Sequence, residues 1–273
     1  MYRMKYAVWA VILGILFGIA HTVNTQSILL SNVFLKLSFS EYILTPNNAS
    51  YYDKLILCFF PSIIFQVISG TEVYRHFCTG AVYYFSRCTN RKKWYIKEIS
   101  NLYLISLLYF IFFAFSFTIV FEVLYTIKYD GIVSIYLCFY YLVIFSLWNY
   151  IFSLLLNIIA FFLKSSGGFI LSFGVQLLFI SFYVIFQEKL YKIYDGDIDA
   201  VKILKAIPFS HLIISWHSSA NENINSLINI YNINFDLNLS VVILVAVAVI
   251  VTLIGMIAVE KTDFIYSNKE SGG

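Results

Sequence analysis

The chain has 273 residues, of which 60% are hydrophobic, 19% are aromatic and only 12% are charged, and its net charge is +3. A soluble globular domain carries roughly a quarter charged residues, so half of the charge that a water-soluble surface needs is missing. This composition excludes a soluble protein, and we expect no nucleic-acid partner.

Six apolar stretches approach the length of a membrane-crossing helix, which needs about 20 apolar residues. The sequence therefore predicts an all-α polytopic membrane protein, with a single transmembrane domain over residues 1–273. The predicted spans cover residues 6–22, 55–69, 102–124, 132–163, 169–186 and 240–259. Pro61 lies in the first turns of the short second span, where a proline costs a helix least. The fourth, about 48 Å long, is either one tilted helix or two helices that break near Trp148 and Asn149.

Basic residues indicate the orientation, because Lys and Arg are enriched in cytoplasmic loops. Residues 70–101, after span two, hold six of the 18 basic residues. This short segment outweighs the basic residues of the long segment 188–239, since long segments are translocated largely regardless of charge. Both termini and residues 70–101 are predicted to be cytoplasmic, and residues 188–239 are predicted to lie outside.

The outer segment 188–239 contains an apolar stretch of eleven residues from Ala206 to Trp216. Eleven residues cannot cross a bilayer, so we predict short re-entrant or interfacial helices here. Pro208, His211 and Trp216 are candidate gating or substrate-path residues. His211 and His217 are six residues apart, which would place them on different helix faces, and no zinc site is predicted.

Two acidic residues lie near the ends of predicted spans, Glu72 at the inner end of span two and Glu122 near the outer end of span three. Ionisable groups at membrane depth are costly and functional by default. Both residues are close enough to the interface to be solvated, so a gating or substrate role ranks second. Four neutral residues are expected to form hydrogen bonds between helices: Gln66, Asn149, Asn157 and Gln176.

The chain carries no sequence signature of an enzyme. It lacks the Gly-x-x-x-x-Gly-Lys-[Ser/Thr] phosphate-binding loop and the Gly-x-Ser-x-Gly motif, and its four cysteines do not have metal-ligand spacing. We therefore expect no catalytic residue, no metal and no cofactor in this chain, and the energy for any active process would come from a partner.

The most informative stretch is the basic segment that ends at Glu98. On a helix, Arg87, Arg91, Trp94 and Glu98 would share one face. One interpretation is a membrane anchor that binds anionic lipid headgroups, with Trp94 at the interface. The other is a docking helix for a cytoplasmic partner, with Trp94 as an aromatic anchor and the arginines as bidentate donors.

The pattern Arg87-x-x-x-Arg91-x-x-Trp94-x-x-Lys97, within six predicted spans and with an apolar outer segment before the last one, resembles the type-2 ABC transporter permease family. Residues 157–168 and the charged ending 259–265 are also similar to those permeases. The resemblance implies that residues 70–101 include a coupling helix seated in a groove of a separate ATPase subunit. The residues that it assigns to this docking are Arg87, Arg91, Lys92, Trp94 and Lys97. Many members also place an amphipathic helix before span one, where this chain has only Met1–Lys5.

The resemblance further implies a multi-pass permease subunit of an ATP-driven exporter in a bacterial plasma membrane. Its partners would be membrane lipids, a second permease copy or paralogue, and an ABC ATPase that binds ATP and magnesium. The implied substrate is an amphipathic peptide, a lipid or a drug-like molecule, with peptide or bacteriocin resistance favoured. The alternative is an immunity or sensor protein that binds a peptide toxin without any ATPase. An intramembrane enzyme such as an acyltransferase ranks last, because catalytic constellations are missing.

Overall fold

The computed structural model describes residues 2–21, 27–38, 49–83, 90–193, 202, 205–229 and 234–261. Most of this part of the chain is helical. The elements in chain order are α1 (Tyr2–Ala20), β1 (Ser27–Leu29), α2 (Leu30–Leu37), α3 (Ala49–Ser69), α4 (Glu72–Tyr83), α5 (Arg91–Leu124), β2 (Thr126–Lys128), α6 (Ile132–Ile193), two 3-10 helices (Pro208–Leu212 and Ile214–Trp216), β3 (His217–Ser218), α7 (Glu222–Ile228), β4 (Phe235–Asp236) and α8 (Leu237–Lys261). The strands form two short parallel pairs, β1 with β2 and β3 with β4.

Three of these helices are long and apolar enough to cross a membrane: α5, α6 over residues 132–182, and α8. The apolar part of α1, Met4–Ala20, is shorter. In lipid, a helix satisfies its backbone hydrogen bonds internally, which is why such apolar sequences form helices. The architecture fits the predicted helical, membrane-embedded protein.

Helix α6 is interrupted at Lys164, whose φ of 65° and ψ of 174° are far from helical values. Beyond this break the chain folds back. The Ser172 hydroxyl donates to the Phe152 carbonyl at 3.1 Å, and a Cβ on Gly168 would lie only 2.9 Å from the Ala160 Cβ. Residues 132–163 and 165–193 are therefore two antiparallel arms. Of the two forms left open by the sequence, one continuous helix over 132–163 is correct, because the break lies at Lys164 and not near position 148.

Helices α1 and α5 pack closely because two glycines of α1 face α5. A Cβ on Gly18 would lie 2.7 Å from the Val120 Cβ, and one on Gly14 would clash with the Ser116 hydroxyl. In lipid, helix association depends on close van der Waals packing, which small residues spaced four apart allow. The Gly14-x-x-x-Gly18 pattern is the sequence signal for this interface.

The prediction about Pro61 in the second span is wrong. Helix α3 begins at Ala49, so Pro61 lies in its interior and not in its first turns. The Tyr109 hydroxyl of α5 donates to the Pro61 carbonyl at 2.9 Å. The described part of residues 70–101 is mostly helical: only Gly70 and Thr71 separate α3 from α4, and α5 begins at Arg91.

Buried amide side chains tie α3 and α4 to both arms of α6. Gln66 donates to Asn149 at 3.3 Å and to Gln176 at 3.1 Å, and Gln176 donates back to Gln66 at 2.6 Å. Asn157 accepts from the Tyr74 backbone N–H at 2.7 Å and donates to the Gly70 carbonyl. The prediction that these four amides form interhelical hydrogen bonds is confirmed.

The contacts define two ends of the bundle. At the first, named the basic end, the start of α1, the α3–α4 junction, the start of α5, the Lys164 break and the end of α8 lie together. The Tyr6 hydroxyl donates to Glu72 at 2.9 Å, Phe77 packs on Phe161 with ring centroids 4.9 Å apart, and Lys92 contacts Glu260.

At the opposite end, named the Pro208 end, the 3-10 helices lie against α3, α6 and the start of α8. The Phe209 ring lies 4.7 Å from Phe59 of α3 and 6.2 Å from Trp148 of α6. Trp148 is about four turns from the start of α6, so Phe209 inserts deeply between the helices. The short helices predicted in the outer segment are thus present, and they are packed inside the bundle.

Candidate functional site

The basic segment forms the first turns of α5. The Asn90 side chain accepts a hydrogen bond from the Lys93 backbone N–H at 3.0 Å and so caps the helix. From Arg91 the helix continues without a break to Leu124, over 34 residues or about 51 Å. This exceeds a bilayer core of roughly 30 Å, so the basic turns would lie outside the core if the helix crosses a membrane. Arg87, the first predicted docking residue, lies outside the described residues.

Arg91 and Lys92 contact the end of α8. The Arg91 guanidinium is 3.5 Å from the carbonyl oxygens of Val259 and Glu260, and the Lys92 ammonium is 2.9 Å from the Glu260 carboxylate. A helix C-terminus has unpaired carbonyl groups and a partial negative charge, so a guanidinium there is favourable. Two of the predicted docking residues therefore interact with the chain's own last helix.

Trp94 and Glu98 also face inward, toward α4. The Trp94 ring is half-buried and lies 5.9 Å from Phe77. The Glu98 carboxylate is 2.9 Å from Nδ1 of His76, and this hydrogen bond raises the pKa of His76. The face that carries Arg91, Trp94 and Glu98 is thus occupied by α4 and α8.

The solvent-accessible face of these turns carries Lys93, Ile96, Lys97 and Ser100, all of which are exposed. Their spacing of three, four and seven residues places them on one side of the helix. We name Lys93, Ile96 and Lys97 the exposed basic face. Lys97 was among the predicted docking residues, but Lys93 and Ile96 were not. The inward pattern of Tyr95, Ile99 and Leu102, all buried, is the sequence signal that would have identified this face.

The two acidic candidates have different environments. Glu122 is exposed in the last turn of α5, as expected. Glu72 is only 5% exposed and accepts the Tyr6 hydrogen bond, so the expectation that it is solvated is wrong. The start of α1 covers it. Tyr6 also lines an apolar cavity of about 200 Å³ between α1 and α5, together with Leu108 and Phe112.

At the Pro208 end, Pro208 is the first residue of a 3-10 helix, and His211 and Trp216 are buried. The prediction that His211 and His217 point to different faces is wrong. Two 3-10 helices joined by an extended Ile213 replace the α-helix that the prediction assumed. As a result, Nδ1 of His211 and Nε2 of His217 lie 2.8 Å and 2.9 Å from the same Ser240 hydroxyl oxygen.

The side chains of this cluster are almost completely shielded from solvent. His217 has no exposed surface, and Ser240 and His211 are 1% and 5% exposed. Burial disfavours the charged imidazolium, and it lowers the pKa of His211 and lowers that of His217 to about 4. Both histidines are therefore neutral at pH 7. Among the described residues, no group of three or more His, Cys, Asp and Glu could hold a metal ion.

Comparisons with protein-family models, with curated proteins and with solved structures find no significant match to this chain.

Proposed function

We propose that the chain is the permease subunit of an ATP-driven exporter of the type-2 ABC class. The broad class to which the chain belongs is that of helical, membrane-embedded proteins. The particular role rests on one observation: the exposed basic face lies on the first turns of α5, a helix that continues unbroken through the bundle. A partner that binds Lys93, Ile96 and Lys97 would act directly on a membrane-crossing helix.

The proposed topology has six crossings. Following the contacts, α1 leads from the basic end to the Pro208 end, α3 returns, and α5 crosses again. The first arm of α6 leads back to the basic end at Lys164, the second arm leaves it, and α8 returns to it with Lys261. Because basic residues concentrate at cytoplasmic ends, we assign the basic end and both termini to the cytoplasm.

Transmission from the exposed basic face would use the contacts of α5. The helix packs on α1 through Gly14 and Gly18, and the Tyr95 ring lies over Gly255 of α8. Closely packed interfaces switch between discrete arrangements instead of deforming continuously, so a tilt of α5 would move both neighbouring helices. The contacts of Lys92 and Arg91 with α8 are partly exposed, and such pairs are weak enough to change partners.

The proposed assembly contains two permease copies or paralogues and two ATPase subunits, which bind ATP and magnesium. The proposed cargo is an amphipathic peptide, a lipid or a drug-like molecule in a bacterial plasma membrane, with peptide or bacteriocin resistance favoured. This choice of cargo follows the family resemblance. An immunity or sensor protein that binds a peptide toxin without an ATPase is the alternative, and the same experiment separates the two.

Co-purification tests the proposal. The tagged full chain is expressed with its neighbouring reading frames and purified in detergent. We expect an ATPase subunit with a phosphate-binding loop to be retained, and the variant K93E/K97E to lose it, because charge reversal disrupts an electrostatic docking face. The matched control is K128E, which reverses an exposed lysine of β2, just beyond the end of α5 that is remote from the basic turns.

Retention of the ATPase by wild type and K128E but not by K93E/K97E supports the docking role. If the membrane-inserted wild-type chain retains no ATPase, the permease proposal fails and the toxin-binding alternative is favoured. If K93E/K97E retains the ATPase as well as wild type does, the exposed basic face is a membrane anchor and not a docking site.

Thiol labelling tests the topology. Cys78 of α4 is a half-buried cysteine near the basic end. In a variant that keeps Cys78 alone, a membrane-impermeant reagent should label it only in inside-out vesicles. A second variant carries A220C, at an exposed position of the outer segment, as its only cysteine, and intact cells should be labelled. The reverse pattern would contradict the proposed orientation.

A further inference from the structure

Three polar side chains close the Pro208 end over the start of α8. His211 lies in the first 3-10 helix, His217 lies in β3, and both reach Ser240 in the first turn of α8. A single buried hydroxyl therefore joins the outer segment to a membrane-crossing helix at two points. Phe235 packs against both imidazole rings, with centroids 5.6 Å and 5.7 Å away.

The hydrogen bonds to carbonyl groups determine one proton on each ring. Nε2 of His211 lies 3.1 Å from the Lys205 carbonyl, and Nδ1 of His217 lies 2.8 Å from the Ile213 carbonyl. A carbonyl oxygen only accepts, so both of these nitrogens must carry hydrogen. In the neutral rings, the two nitrogens that face Ser240 are therefore acceptors.

The Ser240 hydroxyl has one hydrogen, and the Asp236 carbonyl at 3.1 Å is a further acceptor for it. The hydroxyl therefore cannot satisfy both imidazole nitrogens. One additional proton would complete a chain N–H···O–H···N across the pair. A second additional proton would place two imidazolium ions on one hydroxyl oxygen in a site with almost no exposed surface, which repulsion and desolvation oppose. The docked pair thus holds at most one proton beyond the neutral state.

We infer that His211, His217 and Ser240 form an acid-released latch that holds the outer segment 205–217 against α8 at neutral pH. When the segment undocks, both rings reach water and can each bind a proton. Protons therefore bind more strongly to the undocked state, and acidification shifts the population toward it. The inference does not depend on the proposed transport function.

The surrounding charges do not offset this effect. The charged groups on β4, on α7 and at the start of the outer segment are Asp236, Glu222 and Lys205, and all three are exposed. The Lys205 ammonium donates to the Asn234 carbonyl at 3.2 Å, and Asp236 caps the Leu239 N–H at 2.8 Å. The Asp236 carboxylate favours the charged form of His217, but burial, the largest cause, outweighs it and keeps the pKa of His217 low. On α6, the titratable Tyr140 is neutral at these pH values and donates to Asn238.

The size of the shift follows from the ordinary histidine pKa of about 6.5. At pH 5.0 each undocked ring favours undocking about 30-fold, and two rings favour it about 1,000-fold. If one histidine of the docked pair binds a proton with the ordinary pKa of about 6.5, that ring adds nothing to undocking, and the net factor is about 30. Undocking should therefore increase by a factor between about 30 and about 1,000 from pH 7.5 to pH 5.0.

Amide hydrogen exchange of the full chain in lipid nanodiscs measures this equilibrium. The reporter amides are those of Ser210, Ile213 and Trp216, whose hydrogen bonds close the two 3-10 helices. Their protection factors, which are corrected for the intrinsic pH dependence of exchange, should fall by at least about 30-fold at pH 5.0. Amides of residues 144–156 in α6 should keep their protection. Unchanged protection of the reporter amides would overturn the inference.

Variants locate the effect in the pair. We expect the double variant H211Q/H217Q to lose the pH response, and the matched control H76Q, at the basic end, to retain it. An equal response in H211Q/H217Q would overturn the inference. Should that variant fail to fold, 15N-histidine spectra of the wild type decide the matter. At pH 7.5 they should show a proton on Nε2 of His211 and on Nδ1 of His217, and the opposite tautomers would contradict the latch.

Discussion

The two ends of the bundle hold their polar groups in opposite ways. At the basic end, Lys92 and Glu260 pair at the surface, and both side chains are about half exposed. At the Pro208 end, His211, His217 and Ser240 are enclosed. Solvent screens the first kind of contact, so it contributes little and can exchange partners. The second kind is costly to disturb, because removing one partner leaves another buried and unsatisfied. This difference agrees with the proposed docking role of the basic end and with the proposed latch at the Pro208 end.

A tryptophan from each end gives the largest contrast. Trp216 has no exposed surface, and W216A should lower the free energy of unfolding by about 3–5 kcal/mol through loss of burial and formation of a cavity. W94A removes a half-buried ring and should cost about 1–2 kcal/mol. Thermal unfolding in nanodiscs measures both. Equal losses would remove the distinction between the ends.

Two serines give the next contrast. S240A leaves two buried imidazole nitrogens without their shared hydroxyl and should cost about 1–3 kcal/mol. S100A, at the basic end, removes an exposed hydroxyl that only bonds the Ile96 carbonyl, and it should change stability by less than about 0.5 kcal/mol. The comparison of denaturation midpoints tests this, and a loss as large in S100A would contradict it.

The pH dependence of the basic end should have the opposite sign to that of the latch. Glu98 raises the pKa of His76, so the stabilising contribution is complete below the unfolded value of about 6.5 and is lost as the pH rises through the raised pKa. H76Q should therefore be destabilised at pH 6 by less than about 1 kcal/mol, because the pair is partly exposed, and unchanged at pH 9. Stability measured across this range checks the sign, and a larger loss at pH 9 would be inconsistent with it.

The smallest effect is expected for the surface pair at the basic end. A double-mutant cycle of K92A and E260A should give a coupling energy below about 0.5 kcal/mol, which decreases further with salt. A coupling above about 2 kcal/mol would show that this end is as rigid as the Pro208 end.

Several parts of the molecule could be predicted because they depend on local sequence. Length and hydropathy identified the helices α5, α6 and α8, and the amides of Gln66 and Asn157 could be expected to pair because unsatisfied amides are costly in lipid. Other parts could not. Pro61 was placed wrongly because the start of α3 lies before its apolar run, and Glu72 was expected in water because nothing local shows that Tyr6 covers it.

The sites show the same division. Hydropathy alone determined that the protein is helical and membrane-embedded, because in lipid each apolar segment must make its backbone hydrogen bonds internally. The packing of α4 and α8 decided which face of α5 is accessible, because it covers part of Trp94 and leaves Lys93 exposed. Likewise, His211 and His217 meet only because two 3-10 turns change their spacing and α8 brings Ser240 to them. Such convergence depends on contacts between residues far apart in the chain, and no local periodicity records it.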